Sequence, residues 1–350
     1  MNVFSTWLTV NRQCNLKCKW CYAQQMDESN NMDLSMAKKL IDISVELGIK
    51  NFKLIGGEPT IYPHFYSILE YLMGHDVSIV IVTNGLKLSS KEFCSKLKSY
   101  NYSKLHLGIS LKGSSDLEYL EDCGKKGFNV LIQGLKNCDE YGLSYSLSYV
   151  LTKENILKLD SFSDNIIAAG INKNIFFAYC NEVIPQEKYN NVQTENISIE
   201  MDYLFSKQYD NLSEKLQDRF KIHQSFPLCM CEKNTFEKMM KKGQVNTSCH
   251  VHKRNGLIFD TDGSILICNH LAGFGIGKFG VDYFDSKTLS DFFDSEEVVN
   301  LYNKFTYMPS IKCRDCELSS KCGGGCCVQW FSQYFEQYEK YINNLKEILV

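Results

Sequence analysis

The run Cys14-Asn15-Leu16-Lys17-Cys18-Lys19-Trp20-Cys21-Tyr22 puts three thiols on one short loop, spaced C-x3-C-x2-C, directly after the first apolar segment. Thiolates at this spacing can hold three corners of an iron–sulfur cluster. A closed zinc site or a ferredoxin-type cluster needs a fourth ligand nearby, and the next cysteine along the chain is Cys94. The spacing therefore predicts one iron left open to something that is not protein. Trp20, just before the third cysteine, is placed to pack against a flat ligand above the cluster.

Two further stretches could meet that ligand. Gly56-Gly57-Glu58-Pro59-Thr60 presents a carboxylate after two residues without side chains, which lets the backbone come close to a bound molecule. Thr83-Asn84-Gly85 ends an apolar run with turn chemistry and offers an amide. At the far end of the chain the thiols are denser. Cys249 and Cys268 flank a predicted hairpin as C-x13-G-x4-C, and Cys313-x2-Cys316-x5-Cys322-x3-Cys326 follows, with Cys327 immediately after. These are too many thiols for one zinc, so two metal sites are expected, and glycines 323–325 permit a tight wrap around an inorganic core.

Together these motifs resemble the radical S-adenosylmethionine (radical SAM) enzymes with a C-terminal SPASM extension. The resemblance implies that Cys14, Cys18 and Cys21 hold a [4Fe–4S] cluster whose open iron chelates SAM. It implies that Gly56, Gly57 and Glu58 hold the methionine amino group, that Asn84 makes a polar contact to SAM, and that Trp20 and Tyr22 belong to the same cofactor site. Ser110, in Gly108-Ile109-Ser110-Leu111-Lys112-Gly113, fits a ribose contact, whereas Lys112 stands where relatives usually carry aspartate. In the SPASM pattern Cys249, Cys268 and Cys326 bind a first auxiliary [4Fe–4S] cluster, and Cys313, Cys316 and Cys322 a second. Relatives supply a further cysteine downstream, but none follows Cys327 here. Cys327, Cys229 or Cys231, a non-cysteine ligand or an open iron are the alternatives.

The elements that must position these residues alternate strand and helix. Phe4–Val10, 51–55, 77–82, 105–111, 144–151 and 174–178 read as strands, and no G-x-G-x-x-G follows any of them. Asp33 or Ser35 is expected to cap a first helix with Ala37, Leu40, Ile41 and Val45 on its apolar face. Single helices are expected up to Tyr141, over 203–220, over 233–240, and over an amphipathic tail from Val328. The fold class is α/β, a partial (β/α)6 TIM-like barrel with a cysteine-rich C-terminal extension, divided as 1–245 and 246–350.

Composition sets the bounds. The 350 residues are 44% hydrophobic with a net charge of −3, and no long basic block points to nucleic acid or an anionic membrane. The N-terminus lacks a signal-peptide pattern, and no apolar run reaches the about 20 residues that span a bilayer. Sixteen cysteines without a secretion signal read as metal chemistry in a reducing cytoplasm.

The resemblance implies reductive cleavage of SAM to a 5′-deoxyadenosyl radical, and a ribosomally made peptide is the expected substrate. Few residues precede the cluster loop, so leader recognition is expected from a separate protein or from the C-terminal face, and a flavodoxin or ferredoxin-type protein is expected as reductant. A sulfatase-maturating protein oxidase and a small-molecule dehydrogenase are the alternatives; an electron carrier would have no need of an open iron. Sulfatase maturases tend to place aspartate after the hairpin cysteine, whereas Cys268 precedes Asn269-His270. His270 is thus a candidate proton acceptor, and Cys180, Cys229 and Cys231 are candidate hydrogen donors.

Overall fold

The computed structural model describes residues 1–23, 26–179, 207–228, 231–247, 249–306, 313 and 315–328. Cys180, Cys229 and the tail beyond Val328 lie outside them.

Strands and helices alternate from the start: β1 (Ser5–Thr9), α1 (Leu34–Glu46), β2 (Asn51–Ile55), α2 (Phe65–Gly74), β3 (Ser78–Thr83), α3 (Lys91–Ser99) and β4 (Leu105–Leu111). Next come α4 (Asp116–Cys123), α5 (Phe128–Tyr141), β5 (Tyr145–Leu151), α6 (Leu159–Ala168) and β6 (Ile175–Tyr179). The physical reasons are local. Asp33 caps α1 by accepting from the Ser35 and Met36 amides, and Ala37, Leu40, Ile41 and Ser44 are buried at helical spacing. Along β4 the burial alternates, with Leu105, Leu107, Ile109 and Leu111 inside.

Three expectations need correction. The helix predicted up to Tyr141 is two helices, because Gly124 takes a left-handed φ of 72° and ends α4. The run 77–82, whose almost wholly apolar sequence predicts a strand buried on both faces, is not: Ile79 and Ile81 are inside, whereas Val80 and Val82 are half-buried beside Gly108. The helix predicted over 203–220 is described only as α7 (Tyr209–Lys215), and Phe220 opens a further strand, β7 (Phe220–Ile222). Gln217 and Asp218 turn the chain there with φ of 51° and 59°, a reversal that neither Gly nor Pro announces.

The remainder comprises α8 (Lys233–Lys241), α9 (His250–Lys253), β8 (Gly256–Phe259), β9 (Ser264–Leu266), β10 (Gly275–Lys278), α10 (Ser286–Phe293), α11 (Glu296–Phe305) and α12 (Ser319–Cys322). Among the described residues one sheet runs in the order β10-β9-β8-β1-β2-β3-β4-β5-β6-β7. Strands β8 and β1 through β7 are parallel, so their C-terminal ends share one rim. Strand β8 lies on β1 with Leu8 opposite Phe259, and β9 and β10 continue antiparallel. The fold is thus a parallel-dominated α/β barrel segment, and the cysteine-rich C-terminal part is consistent with a SPASM-like extension.

Candidate active site

The rim formed by the C-terminal ends of β1, β2, β3, β4 and β8 gathers the residues singled out above. The loop after β1 is held mainly by backbone. The Gly57 and Glu58 amides donate to the Asn11 and Gln13 carbonyls, both at 2.8 Å, while the Lys17 and Lys19 amides donate to the Cys123 and Asp122 carbonyls at 3.0 and 2.9 Å. Gly56 and Gly57 are required for this approach. A Cβ at Gly57 would fall 2.2 Å from the Gln13 carbonyl oxygen, and one at Gly56 would fall 2.2 Å from Asn11 Oδ1. The close contact they permit is therefore with the segment that leads into the cluster loop.

Cys14, Cys18 and Cys21 sit on this loop, and Leu16, Cys18, Leu86 and Cys123 form a small apolar cluster against which Trp20 packs. Burial pushes the Cys14 thiol up to about 11 and raises Cys21 as well. Cys18 is held down by a hydrogen bond with the Cys123 thiol, which is itself pushed up. Burial works against the Lys112 ammonium, yet Cys18, Cys123, Cys21 and Cys14 all favour its charge and together hold its pKa high. A cation facing three thiols of one loop suits an anionic iron–sulfur core, and the donor set fits the predicted cluster.

Glu58 is 1% exposed, and its carboxylate is fixed by four donors. Oε1 accepts from the Thr60 amide at 3.1 Å and from the Thr60 and Thr83 hydroxyls, each at 2.6 Å. Among the described residues Oε2 accepts only from the Asn84 amide, at 2.7 Å, which leaves it with a lone pair for a ligand. The Asn84 side chain donates to Asn15 Oδ1 at 2.6 Å and accepts from the Leu86 amide, so it pins the cluster loop to the end of β3. Ser110 stands half-buried on β4, with Ser148 Oγ at 3.4 Å.

The hairpin joins the same rim. Arg12, 3% exposed, forms an ion pair through Nη2 with Asp260 at the end of β8, while its Nε and Nη1 are buried without partners among the described residues. The Tyr22 ring lies 5.2 Å from that of His270, whose Nδ1 is 3.6 Å from Cys268 Sγ. Burial pushes His270 down to about 4, so the imidazole is neutral near pH 7.

The C-terminal thiols gather from separated segments. Burial raises the pKa values of the Cys249, Cys268 and Cys327 thiols, and the nearby Cys326 raises each of them further. Cys313, Cys316 and Cys322 are less buried, and Cys322 Sγ accepts from the Leu228 amide at 3.4 Å. Glycines 323–325 all take positive φ, 58°, 79° and 84°, which is the wrap expected between Cys322 and Cys326. Cys231 is buried. Among the described residues no three His, Cys, Asp or Glu side chains converge tightly enough for a single ion.

Sequence spacing missed Thr60, Thr83, Lys112 as a cation beside the thiols, Cys123 and the Arg12–Asp260 pair. Only Thr60 and Thr83, flanking known motifs, left a signal that could have been read.

Residues 8–164, just under half of the chain, match the radical SAM superfamily model. That family uses a [4Fe–4S] cluster and SAM. The chain is 32% identical over 157 residues to Fe-coproporphyrin III synthase of Methanosarcina barkeri, a match spanning 44% of this chain and 39% of that protein. It is 27% identical over 160 residues to the mycofactocin maturase MftC of Mycolicibacterium smegmatis, spanning 45% and 40% respectively. The matches thus cover well under half the length of these relatives. The fold is shared with Streptococcus suis SuiB bound to its precursor peptide SuiA, at TM-score 0.71 and 19% identity over 93% of this chain and 72% of that one. Among the described residues no helix is long and apolar enough to cross a membrane.

Proposed function

We propose that this protein is a radical SAM peptide maturase that crosslinks, oxidises or epimerises a ribosomally made peptide. The observation that carries the reading is a fixed Glu58 carboxylate, with one acceptor site open, beside a three-thiol loop. Cys14, Cys18 and Cys21 hold the cluster, and Glu58 Oε2 takes the methionine amino group of SAM. Asn84 keeps the loop in register, Ser110 faces the ribose, and Trp20 and Tyr22 close the sides. When bound, cluster and SAM supply a radical able to abstract a hydrogen from the peptide. The C-terminal thiols hold auxiliary [4Fe–4S] clusters that can accept the electron left by a two-electron oxidation.

The functional division is placed near residue 245, with SAM chemistry before it and auxiliary clusters after it. A flavodoxin or ferredoxin-type protein supplies electrons, and a separate protein presents the leader. Neutral His270 beside Cys268 is available to accept a proton. Peptide-acting proteins recur among the similar sequences and folds, which supports this substrate class. The likeness to a coproporphyrin-named enzyme favours a metabolite as the second reading.

The test is anaerobic reconstitution, reduction and incubation with SAM and the peptide encoded beside this gene. Loss of two hydrogens per modification is the expected mass change for crosslinking or oxidation. Unchanged mass with deuterium uptake from solvent indicates epimerisation. No change in any neighbouring peptide, with SAM still cleaved, moves the substrate to a metabolite.

A further inference from the structure

The inner face of the sheet carries a cation that the SAM site does not use. Strand side chains alternate between two faces. Phe52 and Leu54 of β2 belong to the core shared with Leu40 and Ile41 of α1, so Lys53 between them points the other way, into the barrel segment. Trp7 on β1 and Val80 on β3 stand in register with it, and Val80 pairs in turn with His106 on β4. These four are half-buried, whereas Leu8, Leu54, Ile81 and Leu107 beside them in the chain are almost fully buried. The inner face therefore stays open to a ligand.

Lys53 Nζ lies 4.0 Å from the centre of the Trp7 ring, a cation–π contact. Exposed lysines such as Lys91, Lys104 and Lys238 have carboxylate partners. Among the described residues Lys53 meets no carboxylate; burial pushes its pKa down and no acid offsets that. The indole offers the ammonium a face but no lone pair, so its three protons remain to be donated. The Trp7 ring also lies 6.0 Å from that of His250, whose Nε2 is buried with no hydrogen-bond partner among the described residues.

We propose that Lys53, set against Trp7, binds a carboxylate of the peptide substrate inside the barrel, below the SAM site at the rim. A carboxylate accepts charge-assisted hydrogen bonds from the ammonium and neutralises a half-buried cation, while the carbon chain that bears it lies along the indole. Lys53 precedes the end of β2 at Ile55, whereas Glu58 follows it, so a peptide anchored at Lys53 sends its neighbouring residues toward the rim. The inference rests on the reading that the barrel takes a peptide.

The experiment uses the full reconstituted chain with SAM bound. Calorimetry follows two probes: N-acetyl-L-glutamic acid α-amide, with a side-chain carboxylate, and N-acetylglycine, with a terminal one. At least one should bind saturably, and the tighter of the two identifies the source of the carboxylate. Lys53→Met should weaken that probe at least about tenfold, and Lys53→Arg should hold it within about threefold, with iron content at the parent level in both. In the parent itself the neutral N-acetyl-L-glutamine α-amide should bind at least about tenfold more weakly, a result independent of any variant's folding. Neither probe binding, equal affinity for the neutral analogue, or equal affinity in Lys53→Met overturns the proposal. So does a fall in SAM affinity in Lys53→Met with the probe still bound, which gives the cation to SAM instead. Peptide modification separates this inference from the reading beneath it. A bound probe with no neighbouring peptide modified keeps the carboxylate site and removes the peptide, whereas a peptide bound and modified equally well by Lys53→Met removes the site and keeps the peptide.

Discussion

The two cysteine regions are built in opposite ways. The N-terminal thiols lie within one loop, and the fold needs only to hold that loop by backbone hydrogen bonds to 57–58 and 122–123. The C-terminal thiols come from the turn at 249, the hairpin end at 268 and the run 313–327, segments well separated along the chain. A site contained in one loop tolerates loose support, whereas a site gathered from distant segments depends on tertiary packing. The two regions are tied together by Arg12 and Asp260.

The largest effect should come from removing the loop thiols. Cys14→Ala, Cys18→Ala and Cys21→Ala together should abolish SAM cleavage and lower iron from about 12 to about 8 per chain. The C-terminal clusters should still load, measured by iron content and EPR. If all iron is lost, the two regions are not independent and the contrast above fails.

Breaking the tie should come next. Arg12→Met leaves Asp260 buried without its partner and should cost about 3–5 kcal/mol, read as a fall in the denaturant midpoint. Replacing both by leucine should recover most of that loss, since the unpaired charge is gone. A single variant as stable as the parent would show that the hairpin does not lean on the cluster loop.

Legibility followed the same division. Strands β1 to β6, the cap of α1 and the thiol loop were readable because each depends on residues close in sequence. Strand β7 was not, since its three residues gain strand character by pairing with β6 and with the chain at 244–246. The β8–β1 pairing was equally hidden, because Ser5 and Gly256 pair although they lie on opposite sides of six intervening strands in the chain. Cys123 escaped for the same reason: α4 carries it to Cys18, and nothing in their spacing says so. The glycines at 56 and 57 were found, but the chain at 11–13, which their bare backbone approaches, was not.

A smaller effect tests how far the carboxylate serves SAM rather than the loop. Glu58→Gln keeps the size but puts an amide where one oxygen accepted, so either the donors at Oε1 or the Asn84 amide loses its partner. The lost charge-assisted hydrogen bond to the amino group should weaken SAM binding by about 1.5–3 kcal/mol, measured by equilibrium binding to the reconstituted enzyme. Iron content should stay at the parent level, because Glu58 is not a ligand. Unchanged affinity would leave Glu58 as a structural pin alone.

The smallest effect is expected at Asn15, and it probes the loop side of the contrast most directly. Its side chain is exposed and gives the loop one hydrogen bond, accepted by Oδ1 from Asn84 at 2.6 Å. Asn15→Ala removes that bond while the backbone contacts of Lys17, Lys19, Gly57 and Glu58 remain. A single net hydrogen bond contributes about 0.5–1.5 kcal/mol, and exposure places this one at the lower end. Water can replace Asn15 at the Asn84 amide, so no buried donor is stranded. The midpoint should therefore shift little, and cluster loading and SAM affinity should fall less than threefold. A loss comparable with Glu58→Gln would mean that the loop depends on its side chains after all, and that the thiol loop is an assembled site like its C-terminal counterpart.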